Sequence, residues 1–308
     1  MASYLAPLSN LKTLVIGFSS PRPRPNQLVP PPLARVVLPA LTRLSFQGIS
    51  EYLEDLVSRI DTPALDNVNI DFFMDLDFHI PQLNQLIARV EMFKHPNGAI
   101  LSFDQTMTDI TINLRGQVKF TLAIHCDRLD YQVSSMTQVC RELSPHLSFV
   151  EELDMAHFAT FPASRNDMDS MQWLELFHPF IAVQSLFAEG ELALLIASAL
   201  QDLTGDRATE VLPALCDLHL EGLEPSLWEA IQPFITARQL SNSPMAINFG
   251  KLEYDVGSSE DEVSEDDDDA RSEYGISSED DDDDRGRSDD DEPHLKGNSP
   301  RGSTLTDN

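Results

Sequence analysis

One spacing of apolar residues recurs along the chain. An apolar residue is followed by two variable positions, a second apolar residue, one variable position and a third apolar residue. The instances begin at Leu11, Leu41, Leu65, Val150, Val183 and Leu215. The last two apolar residues of each instance lie two positions apart, which is the period of a β-strand, so both side chains point to the same side. We therefore predict a strand at every instance.

Three further apolar runs predict strands in the long interval between the third and fourth instances. They cover residues 100–103, 110–114 and 120–126. This interval, from Leu65 to Val150, is nearly three times as long as the average interval between the other neighbouring instances. We interpret it as about three periods of the same repeat.

Segments with helical spacing separate the strands. Apolar residues at positions i, i+3, i+4 and i+7 come after Ser50, a candidate N-cap. The same spacing comes after Pro81, which suits a first helical turn. Trp173 and Trp228 lie on apolar helical stripes, so we predict that both indole rings are buried in the core.

Strand–helix units that recur in this way are typical of a leucine-rich repeat. The instances at Val150, Val183 and Leu215 follow one another at almost equal intervals. One such unit cannot bury the apolar side of its strand, whereas stacked units bury it continuously. The predicted fold class is α/β: an irregular leucine-rich-repeat-like solenoid, with parallel strands on its concave face and helices on its convex face.

A doubly wound α/β domain also alternates strands with helices and remains the alternative. Two features favour the solenoid. A Pro-Ala-Leu sequence leads into the strands at Leu41, Leu65 and Leu215, and no glycine-rich turn follows any strand.

Residues between the inward-pointing apolar positions are expected to face solvent on the concave side and to form a binding surface. The candidates are Thr42, Ser45, Asp66, Asn69, Glu151, Glu152, Asp154, Ser185, Asp217, His219 and Glu221.

Composition divides the chain into two parts. Residues 1–253 form the predicted repeat domain, and residues 21–33, which are rich in proline, are predicted to form a stiff loop within it. Residues 254–308 have few large apolar side chains and are predicted to be a disordered acidic tail, because they cannot bury enough surface to offset the entropy lost on folding. Six serines of this tail precede an acidic residue at position +3 and are candidate phosphorylation sites: Ser258, Ser259, Ser264, Ser277, Ser278 and Ser288.

Charge narrows the range of partners. The net charge is −30, and 20 acidic against 5 basic residues lie between Gly257 and Asn308. Such a balance argues against binding to nucleic acid or to an anionic membrane, since both require clustered Lys and Arg. Basic proteins are instead possible partners of the tail.

Three cysteines without paired spacing fit a reducing compartment. The N-terminus lacks the basic segment of a signal peptide, and no apolar run is long enough to span a bilayer. We therefore expect an intracellular protein, either cytoplasmic or nuclear.

No catalytic motif is present in the sequence. We find no nucleophile elbow, zinc-protease pair, phosphate-binding loop or calcium loop. The pair His125-Cys126 lies in a strand-like run, where neighbouring side chains point to opposite faces and cannot act on one atom. We therefore expect a non-enzymatic protein that has no catalytic residues, no metal site and no cofactor.

The repeats resemble the leucine-rich-repeat portion of the F-box proteins of basidiomycete fungi. The segments that carry this resemblance are residues 38–49, 62–73, 80–89, 129–140, 172–180 and 210–215. The resemblance implies a substrate-recognition surface of a ubiquitin-ligase receptor. The family's F-box precedes its repeats, whereas this chain starts directly with a repeat, so binding of the Skp adaptor is not expected.

The overall plan also resembles that of the acidic leucine-rich nuclear phosphoproteins, which join repeats to an acidic tail and bind histones. Two hypotheses follow from the sequence. The first is a protein–protein interaction module that binds an unidentified protein through its repeats. The alternative is a chaperone-like protein that binds histones or other basic proteins.

Overall fold

The repeated apolar spacing forms one large sheet. In a computed structural model of the chain, residues 7–19, 35–73, 78–114, 119–157, 169–221 and 225–250 are described. Ten strands are joined in this sheet. Their bounds are β1 Thr13–Gly17, β3 Arg43–Gly48, β5 Asn67–Phe72, β6 Pro96–Phe103, β7 Met107–Leu114, β8 Lys119–His125, β9 Glu152–His157, β10 Ser185–Glu189, β11 Asp217–Glu221 and β12 Ala246–Gly250. A second, small sheet pairs β2 (Val36–Val37) with β4 (Ile60–Asp61).

Seven α-helices lie between strands along the described ranges. Their bounds are α1 Ser50–Arg59, α2 Pro81–Arg89, α3 Leu129–Glu142, α4 Ser144–Leu147, α5 Ser170–Phe177, α6 Gly190–Gln201 and α7 Pro225–Leu240. Ile49 occupies the N-cap position of α1, so the predicted cap Ser50 lies one residue inside the helix. Among these helices, none joins enough length to enough apolar character to cross a lipid bilayer.

Several predictions made from sequence concern other parts of the chain. The proline-rich loop at 21–33 lies outside the described residues. So do the acidic tail at 254–308 and its six candidate phosphorylation sites.

The sheet is mostly parallel, which confirms the predicted α/β class. Across the sheet the strands follow the order β1-β3-β5-β8-β7-β6-β9-β10-β11-β12. Chain order is therefore kept on both sides of a central meander, in which β6, β7 and β8 run in reverse order. Because β8 pairs with β5 and β6 pairs with β9, parallel pairing resumes on either side of the meander.

The prediction of parallel strands throughout is wrong at β7, which is antiparallel to both β6 and β8. Connection length explains the difference. Only residues 104–106 join β6 to β7. A connection this short reverses the chain, whereas a parallel pair needs a crossover of about a dozen residues or more. The long interval between Leu65 and Val150 thus contains a meander between helices and not three copies of the repeat.

A tight turn precedes each of the strands that follow the Pro-Ala-Leu sequence. The backbone N–H of Leu41 donates to the carbonyl of Leu38, and that of Leu215 donates to the carbonyl of Leu212. Proline occupies the second position of both turns, where its fixed φ is favourable. The repeated sequence therefore sets the direction in which the chain enters the sheet.

The residue that follows the first apolar position of the repeated spacing forms backbone hydrogen bonds to the neighbouring strand. The carbonyl of Thr42 accepts hydrogen bonds from the N–H groups of Asp66 and Asn67. At the equivalent position, the carbonyl of Gln184 accepts from Cys216 and Asp217. One backbone contact thus recurs on both sides of the meander and keeps the strands in register.

The core lies on one side of the sheet. Inward side chains of five strands, namely Leu44, Val68, Leu153, Leu186 and Leu218, are at most 1% exposed. They belong to one cluster with apolar residues of the helices, among them Leu53 of α1, Leu83 of α2, Met136 of α3, Ile196 of α6 and Phe234 of α7. Since helices cover this side, the alternate side chains of the strands project from the other side.

The two tryptophans have different environments. Trp173 is 2% exposed, as predicted, and its ring lies 5.4 Å from that of Phe103. Trp228 is 49% exposed, so the prediction that it is buried is wrong. It lies on α7, the last described helix, which packs against α6 and has no further described helix beyond it. Trp228 instead contacts Phe249 of β12 at a ring distance of 5.4 Å.

A buried arginine connects α7 to the turn before β11. Arg238 is 1% exposed and donates to the carbonyl of Leu215 at 2.6 Å. It also reaches the carbonyls of Ala208 and Leu212, each at 3.5 Å. Burial lowers the pKa of this guanidinium below its usual range. Among the described residues its hydrogen-bond partners are backbone carbonyls, so Arg238 holds that turn against the helix.

We expect Arg238→Met to lower the free energy of unfolding by about 2 kcal/mol, because it removes the guanidinium donor from the buried carbonyl of Leu215. Arg207→Met is the matched control, since Arg207 pairs with Glu210 at a half-exposed position. The control should change stability by no more than about 0.5 kcal/mol. Urea denaturation measures both values, and equal effects would contradict a structural role for Arg238.

A buried histidine joins α4 to α2. His146 is 7% exposed, and its Nε2 lies 2.8 Å from Oδ1 of Asn84. The amide nitrogen of Asn84 donates to the carbonyl of Glu142, so its Oδ1 is the acceptor and Nε2 carries the hydrogen. Burial lowers the pKa of His146 because it disfavours the charged ring.

The lowered pKa gives a prediction about pH. The unfolded chain binds the proton more readily, so stability from this group is present above its ordinary pKa of 6.5 and is lost as the pH falls. Between about pH 7.5 and pH 5.5, the wild type should lose more stability than His146→Gln, as measured by urea midpoints. The exposed His178 provides a control, and His178→Gln should keep the wild-type pH dependence. A wild-type slope in His146→Gln would contradict the prediction.

Candidate protein-interaction surface

The side chains that alternate with the buried rows form what we call the open face of the sheet. Strand register arranges them in rows. The first row is Thr13, Arg43, Asn67, Lys119, Asn113, Gly98, Glu152, Ser185, Asp217 and Ala246. The middle row is Val15, Ser45, Asn69, Thr121, Thr111, Ile100, Asp154, Phe187, His219 and Asn248. A third row includes Gln47, Asp71, Ala123, Asp109, Ser102, Glu189 and Glu221.

The structure places eight of the predicted binding residues on this face. They are Ser45, Asn69, Glu152, Asp154, Ser185, Asp217, His219 and Glu221. Thr42, Asp66 and Glu151 each lie one residue before a strand, at the edge of the face where their strands begin. The predicted set is divided by the central meander, so its N-terminal and C-terminal members do not form one contiguous group.

The N-terminal half of the open face contains basic side chains and a paired acid. Arg43 and Lys119 are exposed in the first row. Asp71 accepts a hydrogen bond from Gln47 Nε2 at 3.1 Å, and its Oδ1 lies 2.8 Å from His125 Nε2. The carboxyl of Asp71 therefore contacts a side chain on each adjoining strand.

The central meander presents smaller, partly buried side chains. Thr111 and Ala123 are less than 9% exposed. The carboxyl of Asp109 accepts a hydrogen bond from Thr111 Oγ1 at 3.4 Å, and burial raises its pKa. This region separates the two charged halves of the open face.

The C-terminal half of the open face is acidic. Its carboxylates come from β9, β10 and β11 and the residue before β9. They are Glu151, Glu152, Asp154, Glu189, Asp217 and Glu221. None of them forms an ion pair or a side-chain hydrogen bond with another described residue. Loss of surrounding water, with no compensating partner, raises the pKa of Asp154.

An aromatic pair lies among these carboxylates. Phe187 and His219 are neighbours in the middle row, and their rings stack at 4.3 Å with an angle of 13° between their planes. Phe187 is 38% exposed, although it is a large apolar residue. Sequence reasoning did not include Phe187, but its place between Leu186 and Ala188 is an outward position of the repeated spacing and could have identified it.

The residues considered for catalysis do not act together. His125 faces the open side and pairs with Asp71, whereas Cys126 is 4% exposed and burial raises the pKa of its thiol. Burial also raises the pKa of Cys140. Across the parts of the chain that the structure describes, no three His, Cys, Asp or Glu side chains converge as they would around a metal ion.

Comparisons with known proteins do not identify a family. No protein-family model, no curated protein and no solved structure matches this chain.

The contrast between Asp154 and Asp71 gives a prediction about stability. Because the folded state raises the pKa of Asp154, its carboxylate opposes folding at neutral pH and its protonated form does not. Asp154→Asn should therefore raise the melting temperature at about pH 7, and the gain should shrink at about pH 3.5.

Asp71→Asn is the matched control and should lower the melting temperature at neutral pH, because it weakens the contacts with His125 and Gln47. Differential scanning fluorimetry measures both variants. The same sign of change in both would contradict this interpretation.

Proposed function

We propose that this chain is a non-enzymatic protein-interaction module that binds a partner protein through the open face of its sheet. One observation carries the proposal: helices bury one side of a ten-stranded sheet, while the other side presents rows of mostly polar side chains in register. Such an arrangement places many side chains at fixed spacing without using them for the core.

We also propose that the sheet and helices form a leucine-rich-repeat-like solenoid, with the open face on its concave side. Three observations support this interpretation. The strands keep chain order on both sides of the meander, the same turn introduces repeated strands, and consecutive helices pack against each other, as α1 does with α2 and α6 with α7.

The resemblance to the repeats of fungal F-box proteins suggests one kind of role. In that family the repeats select the proteins that a ubiquitin ligase modifies. We propose the corresponding role for this chain only as recognition of a protein substrate or partner, because the resemblance is carried by the repeats.

Binding of histones or other basic proteins is the second candidate function. It is favoured by the charge of the chain, since the segment from Gly257 to Asn308 has a net charge of −15. If the tail alone is responsible, deletion of residues 254–308 should abolish histone binding, and unchanged binding would contradict this alternative.

Affinity capture of the tagged full chain from cells that express it tests the first function. The double variant Asn69→Arg and Asp154→Arg changes the open face on either side of the meander. Its control is Gln85→Arg and Gln201→Arg, which adds the same residue type at exposed positions of α2 and α6.

We expect the open-face variant to reduce the recovery of specific partners about tenfold, as loss of central interface residues does. The helix variant should retain those partners, and circular dichroism should show that both remain folded. Equal recovery with the two variants would contradict binding through the open face.

A further inference from the structure

We propose that the C-terminal half of the open face binds an extended, arginine-rich segment of a partner protein, with one arginine stacked on the Phe187–His219 pair. This inference rests on the proposed function and names the chemistry of the partner. The surface concerned consists of the outward side chains of β9, β10 and β11.

Charge complementarity is the first argument. The six carboxylates on and before these strands have no described partner, whereas Asp71 on the same face is held by His125 and Gln47. The described Lys and Arg side chains of the open-face strands are Arg43 on β3 and Lys119 on β8, which β7 and β6 separate from β9. A cationic segment would therefore gain attraction at β9–β11 without displacing any ion pair between described residues.

The aromatic pair is the second, independent argument. Phe187 exposes more than a third of its surface in the middle row, with Asp154 as its register neighbour on β9 and His219 on β11. An exposed ring flanked by carboxylates suits a guanidinium, which is planar, stacks on aromatic faces and donates in its own plane to carboxylates. An ammonium lacks this combination, so we infer a preference for arginine over lysine.

Spacing gives the direction of the bound segment. Successive rows lie two residues apart on each strand, or about 6.7 Å. Alternate side chains of an extended peptide have the same spacing. A peptide that lies along the strands can thus present three arginines to three successive rows. A peptide that lies across the strands cannot match them in this way, because neighbouring strands are only about 4.8 Å apart.

In this arrangement each arginine of the peptide contacts the side chains of one row. The central arginine stacks on the face of Phe187 that is turned away from His219, and it pairs with Asp154 on the neighbouring strand. The arginine on one side meets Glu152 and Asp217 of the first row. The arginine on the other side meets Glu189 and Glu221, which are register neighbours in the third row.

Fluorescence anisotropy with the full chain tests the proposal. The probe is a fluorescein-labelled peptide in which three arginines alternate with serines. A second peptide has the same composition with its three arginines contiguous, and a third replaces arginine with citrulline, which keeps the shape but removes the charge. We expect the alternating peptide to bind about fivefold more tightly than the contiguous one and the citrulline peptide not to bind.

Variants distinguish the open face from the acidic tail. Phe187→Ala and Asp154→Asn should each weaken binding of the alternating peptide about fivefold. Val15→Ala is the control for Phe187, because Val15 is 70% exposed in the same row at the opposite end of the sheet. Asp71→Asn is the control for Asp154, and both controls should bind as the wild type does.

Cross-linking locates the peptide directly. A photoreactive benzophenone at its centre should label tryptic peptides that contain β9, β10 or β11. Labelling confined to residues 254–308, or equal affinity of the alternating and contiguous peptides together with no effect of Phe187→Ala, would overturn the inference.

Failure of this inference can be told apart from failure of the proposed function. If the peptide ignores the open face but the Asn69→Arg and Asp154→Arg variant still loses its cellular partners, the face binds a protein of other chemistry. If neither the peptide nor any partner responds to changes on the open face, both proposals fail.

Discussion

Burial of only one side of each strand is the constraint on which the rest of the structure depends. The inward row from Leu44 through Val68 to Leu218 is apolar and almost fully enclosed, and it can be enclosed only when each strand–helix unit is stacked on the next. Register is then maintained by backbone contacts such as those of Thr42 and Gln184. Since helices occupy the side on which the apolar rows lie, the opposite side stays available for other chemistry.

The open face is not uniform, and the difference lies in how its charges are compensated. Asp71 contacts side chains on both adjacent strands, so its carboxyl helps to join those strands. Asp154 has no such partner among the described residues, and loss of water around its carboxyl raises its pKa. A carboxylate such as that of Asp154 slightly lowers the stability of the free protein, and a cation of a bound partner can stabilise it. This physical asymmetry distinguishes the part of the sheet that we propose for binding from the part that maintains structure.

Particular residues show how far sequence reasoning extends. The repeated spacing and the apolar runs identified every strand of the large sheet except β12, because a period of two is a local property of an extended chain. The spacing identified eight of the residues on the open face for the same reason. It did not identify the orientation of β7, which follows from a very short connection, or the exposure of Trp228, which depends on whether another helix lies beyond α7. An apolar stripe indicates that one face of a helix is to be buried, but it does not indicate how completely neighbouring elements cover that face.

The sequence by itself determined the α/β class, the position of most strands and the residues that alternate outward, since these depend on short-range periodicity. Only the tertiary structure decided that the strands on either side of the meander belong to one sheet, that Asp71 is paired while Asp154 is not, and that Phe187 stacks on His219. Those relations join residues of different strands that are far apart in the chain. They arise from which strands become neighbours, and strand neighbours are selected by the packing of the whole core and not by local pattern.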